Sequence, residues 1–280
     1  MTKFKVLSHT KNMKKLLILL TIPLLFCSIY ITPIKIHAKN CHASTTPQMC
    51  IVIDDFGSYE EDGVSELLAS NIPLTCAVLP NVDNTEKHLT QIASSKNKEI
   101  ILHMPMQSHV HLPDNWYGPI RINSGDSKEI IDQKLETSLK NFPSIKGFNM
   151  HIGSGVSRNK ETMKHIYNYA NSHNLYFLDS RTIETNATEL AARETNSLYL
   201  GRDEFLEADK NKSYFNVKYR LLETARKAME NGSAIAIGHV GAEGGINTAK
   251  AIIDVVPEIQ KMGVEIVTLS EIYSNLKLLN

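Results

Sequence analysis

Short apolar runs rich in β-branched residues recur along this chain, separated by stretches with helical periodicity. That beat limits the available folds more than any other feature. The runs are "CIVID", "LTCAVL", "EIILHM", "GFNMH", "LYFLD", "SLYL", "SAIAIGH" and "VEIVTL". Between them, Ile131, Leu135 and Leu139 share one helical face behind a candidate N-cap at Ser127, and Met163, Ile166, Tyr167 and Ala170 share another behind Asn159. Leu221, Leu222, Ala225 and Met229 form a third face that stops at Asn231-Gly232. Ile252, Val256 and Ile259 form a fourth, interrupted by Pro257 and closed by Gly263. Strands alternating with helices imply a parallel sheet, because parallel neighbours need a crossover. Strands that are apolar throughout imply that both sheet faces are covered. The expected architecture is α/β, a distorted seven- or eight-stranded parallel β/α barrel in one domain; an open doubly wound sheet is the second arrangement that fits.

The chain has 280 residues, 42% of them hydrophobic and 21% charged, with zero formal net charge. No basic excess exists to neutralise phosphates, so the chain is not expected to bind nucleic acid through bulk electrostatics. Residues 1–40 differ from the rest. Lys3, Lys5, Lys11, Lys14 and Lys15 precede "LLILLTIPLLFCSIYITPI", and no acid occurs before Asp54. A basic start and an apolar run read either as a secretory signal or as an uncleaved N-terminal anchor. Both place the body, residues 41–280, outside the cytoplasm, with membrane contact only through this segment if it is retained. Cys27 belongs to the leader, Cys41 and Cys50 form either a disulfide or two free thiols, and Cys76 reads as a small core residue. No Cys-x-x-Cys occurs, which argues against a cysteine zinc site.

Polar residues collect where the strands end. Asp54 and Asp55 close the first run, His103 the third, His151 the fourth, Asp179 the fifth and His239 the seventh, while Arg202 and Asp203 follow the sixth. In parallel β/α architectures these ends form the active-site face, so residues far apart in sequence converge on one mouth. Each alone fits a capping or loop role; together they fit chemistry. One carboxylate and two imidazoles make an open zinc site. Bound zinc lowers the pKa of water toward about 7. A second carboxylate then serves as general base and a third histidine as general acid.

The segments "VIDDFG", "ILHMPM", "NMHIGS", "FLDSRT" and "AIAIGH", in this order, resemble the strand-end signatures of the divergent polysaccharide deacetylases, relatives of the NodB-type carbohydrate esterases. The resemblance runs from about Met49 to Ser270. It implies a NodB-like distorted β/α barrel and metal-dependent N- or O-deacetylation of a cell-surface sugar polymer. It also implies roles: Asp54 as base, Asp55 as ligand to Zn2+ or another divalent metal, and His239 as the group that protonates the leaving atom. His103 falls where the second signature supplies a histidine. NodB enzymes have His-x-x-x-His there and the divergent family an acid, whereas this chain has Gln107, a weaker ligand. His151 is the candidate second imidazole. Asp179 is expected to orient a histidine or the base, and Arg181 to pair with an acid of the same network on the substrate side. The longest polar insertion, "HVHLPDNWYGPIRINSGD", carries Trp116, the chain's one tryptophan, beside Tyr117. These aromatics are expected either to support a sugar ring or to pack the loop down; His109 and His111 are expected at the surface.

The leading expectation is therefore a zinc-dependent hydrolase acting on an acetylated glycan outside the cytoplasm. An envelope protein that keeps the barrel but only binds glycan or a protein partner is the alternative. A glycoside hydrolase using Asp54 and Asp179 as its acid pair ranks last, because three rim histidines exceed what such a pair needs.

Overall fold

A computed structural model describes residues 46–208 and 212–279. The expected leader and Cys41 lie outside these residues. Among the described residues nine strands are present: β1 (Gln48–Phe56), β2 (Leu74–Val78), β3 (Lys98–Met106), β4 (Gly147–Ile152), β5 (Tyr176–Asp179), β6 (Leu200–Gly201), β7 (Glu204–Phe205), β8 (Ser233–His239) and β9 (Glu265–Val267). Helices α1 (Val64–Ala69), α2 (Thr85–Ala93), α3 (Lys128–Leu139), α4 (Lys160–Ser172), α5 (Ala187–Glu194), α6 (Tyr214–Asn231), α7 (Gly245–Lys261) and α8 (Leu269–Leu279) are interleaved with them. Eight strands run in the order β6-β5-β4-β3-β2-β1-β8-β7, and all pair in parallel. The sheet is thus the curled parallel barrel expected, open between β6 and β7. The run "VEIVTL" is not one of the eight. It supplies β9, which pairs with Gln48–Cys50 of β1 below the point where β2 takes over at Val52.

Helix ends follow the sequence. Ser127 Oγ accepts from the Ile130 N–H, Asn159 Oδ1 accepts from the Thr162 N–H, and Gly232 ends α6 in the left-handed conformation at φ 85°. Met229 departs from expectation: it is half exposed, while Val217, Leu221, Ala225 and Ala228 carry the buried face of α6. Cys50 and Cys76 are buried free thiols. Among the described residues no helix is long and apolar enough to cross a membrane.

Strand parity sorts the core. Met49, Ile51 and Ile53 pack under the helices, whereas Cys50 and Val52 belong to an inner cluster with Ala77, Ile101, Leu178 and Ile237. Along the inner face the chemistry changes with height. Thr75, Glu99 and Tyr176 lie near the strand starts, the apolar group fills the middle, and Asp54, His103, Asn149 and His239 continue the same parity at the strand ends. Helix α8 closes the lower end, where Leu269 N donates to Thr75 Oγ1 and Ser270 N to Glu99 Oε2. Gly147 leaves the space that the Tyr176 ring fills, since any side chain at 147 would run into that ring.

Candidate active site

Alternation along β1 points Asp54 inward and would send Asp55 outward to the helices. The backbone prevents that. Asp55 adopts φ 69°, and the β1–β2 register breaks between Ile53 and Phe56, so both neighbouring carboxylates line the same cleft. Aspartate tolerates the left-handed region better than most residues, at a cost of roughly 1–2 kcal/mol. The turn that follows is held by His88 on α2, a buried histidine that sequence reasoning missed. Its Nδ1 accepts from the Gly57 N–H at 2.7 Å, and its ring meets Phe56 edge-on.

His103 and His151 arrive from neighbouring strands, on the inner parity of β3 and β4. His103 Nδ1 lies 2.7 Å from Asn149 Oδ1 and donates to it, which leaves Nε2 with its lone pair. His151 Nε2 lies 3.0 Å from the Trp116 carbonyl and donates there, which leaves Nδ1 bare. These two nitrogens are 3.2 Å apart, and Asp55 Oδ1 lies 3.3 Å from one and 3.2 Å from the other. Three acceptor atoms therefore face one point. Asp55 Oδ1 is buried and makes no hydrogen bond. Something positive has to sit among them, and an open carboxylate–imidazole–imidazole set suits a divalent cation. Among the described residues this is the one such group. Burial would raise the Asp55 carboxyl, but the two imidazoles hold it well below the usual range. Burial likewise opposes charge on His103, yet Asp54 and Asp55 raise its pKa above the ordinary value.

Asp54 is kept apart from that point. It is buried, and its Oδ1 accepts from Asn149 Nδ2 at 2.8 Å. Asn149, fully buried, thus bridges the base candidate and a ligand candidate. It was not singled out in the sequence, although "GFNMH" places it two residues before His151, on the same face.

His239 pairs with Asp54 across β1 and β8. Its Nδ1 lies 3.1 Å from Glu207 Oε2, its backbone N–H donates to Glu207 Oε1, and Thr248 Oγ1 donates to the same oxygen at 2.6 Å. Burial works against a charged ring, but Glu207 outweighs it and the His239 pKa is pushed up to about 10. Gly244 makes room for this arrangement, since a side chain there would strike Glu207, Thr248 and the His239 carbonyl.

Asp179 is expected to orient a histidine or the base, and the structure has it bonded to neither. It shares the outward parity of Phe177; its Oδ1 accepts from the Arg181 N–H and its Oδ2 from the Tyr199 hydroxyl. The carboxylate that orients His239 is Glu207 instead. Tyr117 takes the second of the two expected roles. It is 3% exposed, and its hydroxyl accepts from the Ser108 N–H, which pins the insertion rather than offering a ring face. Trp116 is 58% exposed and lines the cleft. Gln107 faces away from the three acceptors, its Oε1 accepting from the Ser124 N–H. His109 and His111 are exposed, as expected. Arg181 lines the cleft, bonded to Tyr199 and to the Arg202 carbonyl. The whole cleft has a volume of about 1020 Å³.

Residues 51–273 match the family described as divergent polysaccharide deacetylase. The chain belongs to that family. The uncharacterized protein YibQ of Escherichia coli K12 is 32% identical over 195 residues, covering 69% of this chain and 58% of YibQ. An uncharacterized protein of Haemophilus influenzae Rd is 28% identical over 194 residues, covering 69% of this chain and 66% of that protein. The chain thus spans less than two thirds of either relative. Among solved structures, an uncharacterized protein of Agrobacterium tumefaciens C58 superposes with a TM-score of 0.71 at 18% identity, covering 81% of this chain and 89% of that one, which shows a shared fold.

Proposed function

We propose that this divergent deacetylase is a metal-dependent hydrolase, with Zn2+ or another divalent cation, that removes acetyl groups from a glycan outside the cytoplasm. The observation that carries the reading is the trio of bare acceptor atoms on Asp55, His103 and His151, set beside a separately held carboxylate and a separately held histidine. Gln107 does not weaken it, because the second imidazole comes from β4 rather than from the position one turn after His103. The basic and apolar character of residues 1–40 supports the location.

A bound divalent cation supplies a Lewis acid for the acetyl oxygen and makes water nucleophilic near neutral pH. The chain's residues do the rest. Asn149 fixes the His103 ring and the Asp54 carboxylate together, so the base stands at constant distance from the ligand set. Asp54 takes a proton from the attacking water. His239, charged at neutral pH beside Glu207, gives a proton to the departing amine or alcohol through Nε2, since Nδ1 is engaged. Trp116 offers an exposed ring at the cleft wall for the apolar face of a sugar.

The test is acetate release from N-acetylated oligosaccharides by zinc-loaded protein, with Asp54→Asn alongside. Loss of the base should lower the rate by about 10²–10⁴-fold while metal content is retained. Equal acetate release by both proteins would replace catalysis with a binding role.

A further inference from the structure

The charges lining the cleft are segregated. Acids reach it from the loops after β1, β2 and β8, as Glu60, Asp83 and Glu243, whereas Arg181 and Arg202 reach it from the loops after β5 and β6. Strand order puts these two arcs on opposite sides of the mouth, with the β3 and β4 histidines between them. The arginines are built in rather than draped over the surface. Arg202 Nε donates to the Ser180 carbonyl at 2.7 Å and its Nη2 to the Arg181 carbonyl at 2.8 Å; Arg181 Nη1 returns a bond to the Arg202 carbonyl at 2.8 Å. Each guanidinium also lies over an aromatic ring, Arg202 over Phe205 and Arg181 over Tyr199.

Neither guanidinium is in direct ion-pair contact with a carboxylate among the described residues; Arg181 packs over Gly201, and Asp203 and Asp179 act on it from a distance. The acids close by are engaged: Asp179 by the Arg181 N–H and the Tyr199 hydroxyl, Asp203 by the Ile235 N–H. Two like charges fixed side by side and partly desolvated repel each other; Asp203 and Asp179 offset this at Arg181, whereas Asp54 and Asp179 offset it only in part at Arg202. Accordingly, burial and then the Arg181 charge push the Arg202 pKa down. Both residues line the cleft, and guanidiniums clamped there suit oxyanions, which they bind through directional bonds.

We propose that Arg181 and Arg202 form an oxyanion-recognition subsite, and that the glycan bound in this cleft carries a carboxylate or a phosphate near its acetylated sugar. The inference builds on the deacetylase reading by naming the class of substrate, but its test needs no turnover. Binding is measured by calorimetry on full-length Asp54→Asn protein with three probes. These are a neutral N-acetylglucosamine tetrasaccharide, a tetrasaccharide alternating N-acetylglucosamine with glucuronic acid, and a 6-phosphorylated N-acetylglucosamine tetrasaccharide. At low salt at least one anionic probe should bind about tenfold tighter than the neutral one, with the advantage shrinking toward about 0.5 M salt. The better anionic probe identifies carboxylate or phosphate as the source. Arg181→Gln and Arg202→Gln should each remove most of the advantage, read as the ratio of anionic to neutral affinity. Arg202 supports two backbone carbonyls, so the variants are checked by thermal unfolding; if Arg202→Gln does not fold, the exposed Arg181 decides. Anionic probes binding no tighter than the neutral one, or keeping their advantage in the folded variants, would overturn the subsite. Acetate release by wild-type protein is scored separately: discrimination without release leaves the subsite standing and removes the hydrolase, and release without discrimination does the reverse.

Discussion

Adjacent aspartates on one strand usually face opposite sides, and Asp55 escapes this only through a left-handed backbone. Its strain is offset by what the carboxylate meets, two imidazoles whose other nitrogens are already committed. The pair Asp54-Asp55 stands out in the sequence because like charges rarely sit together after an apolar run. Asn149 and Glu207 do not stand out. An amide inside a strand and an acid in a loop are common, and only the fold shows that one bridges Asp54 to His103 and the other meets His239. Asp179 misleads for the converse reason: it ends a strand, but on the parity of Phe177, outside the mouth. Glu207 is also the main upward influence on the His239 pKa. A proton donor works only while charged, so activity should persist through neutral pH and fall as pH rises toward about 10. Glu207→Gln removes the opposing charge, and the alkaline limb of acetate release should move down by about one to three pH units. A pH–rate profile of the two proteins checks this, and an unmoved limb would dismiss His239 as the acid.

Individual segments differ in how plainly they announce themselves. Helices α3, α4, α6 and α7 carry long periodic faces and recognisable ends, and they form where expected. Strand β7 has two residues, too few for any pattern, so the edge that pairs with β8 is invisible in the sequence while the longer run at β9 is not. The insertion between Gln107 and Asp126 has no periodicity at all, yet it is tied down at several points. Ser124 N donates to Gln107 Oε1, Ser108 N to the Tyr117 hydroxyl, and His151 to the Trp116 carbonyl. Tyr117 thereby supports the loop that fixes the His151 tautomer. Tyr117→Phe strands a buried N–H, and should lower the unfolding free energy by about 1–3 kcal/mol, read from urea denaturation. It should also weaken zinc binding modestly. A variant with unchanged stability would mean the loop is held without this bond.

Taken as one body, the barrel separates what holds it together from what reacts. The apolar belt of Val52, Ala77, Ile101, Leu178 and Ile237 lies between a polar floor, where α8 docks on Thr75 and Glu99, and the reactive rim. The belt could be read from continuous apolar runs, but the floor could not, because Thr75 and Glu99 look like ordinary strand-edge polar residues until α8 is seen against them. A cation that binds only the folded chain stabilises it, by about 2.7 kcal/mol at a hundredfold excess over its Kd. Zinc should therefore raise the unfolding temperature by roughly 5–10 °C over chelator-treated protein. The raised His103 pKa sets the sign with pH: below it the ring holds a proton where the cation must bind, so the zinc-dependent increment should shrink as pH falls from about 8 to about 5.5. An increment equal at both pH values would remove His103 from the ligand set. The proposed ligand Asp55 and the proposed base Asp54 are consecutive residues, so a single peptide link spaces them, and no breathing of the barrel can pull that pair apart. Whatever drift the mouth suffers must fall on the imidazoles of β3 and β4; the Trp116 carbonyl tethers the second, and for the first the tether is one buried amide, Asn149, clasping a ring on one side and a carboxylate on the other.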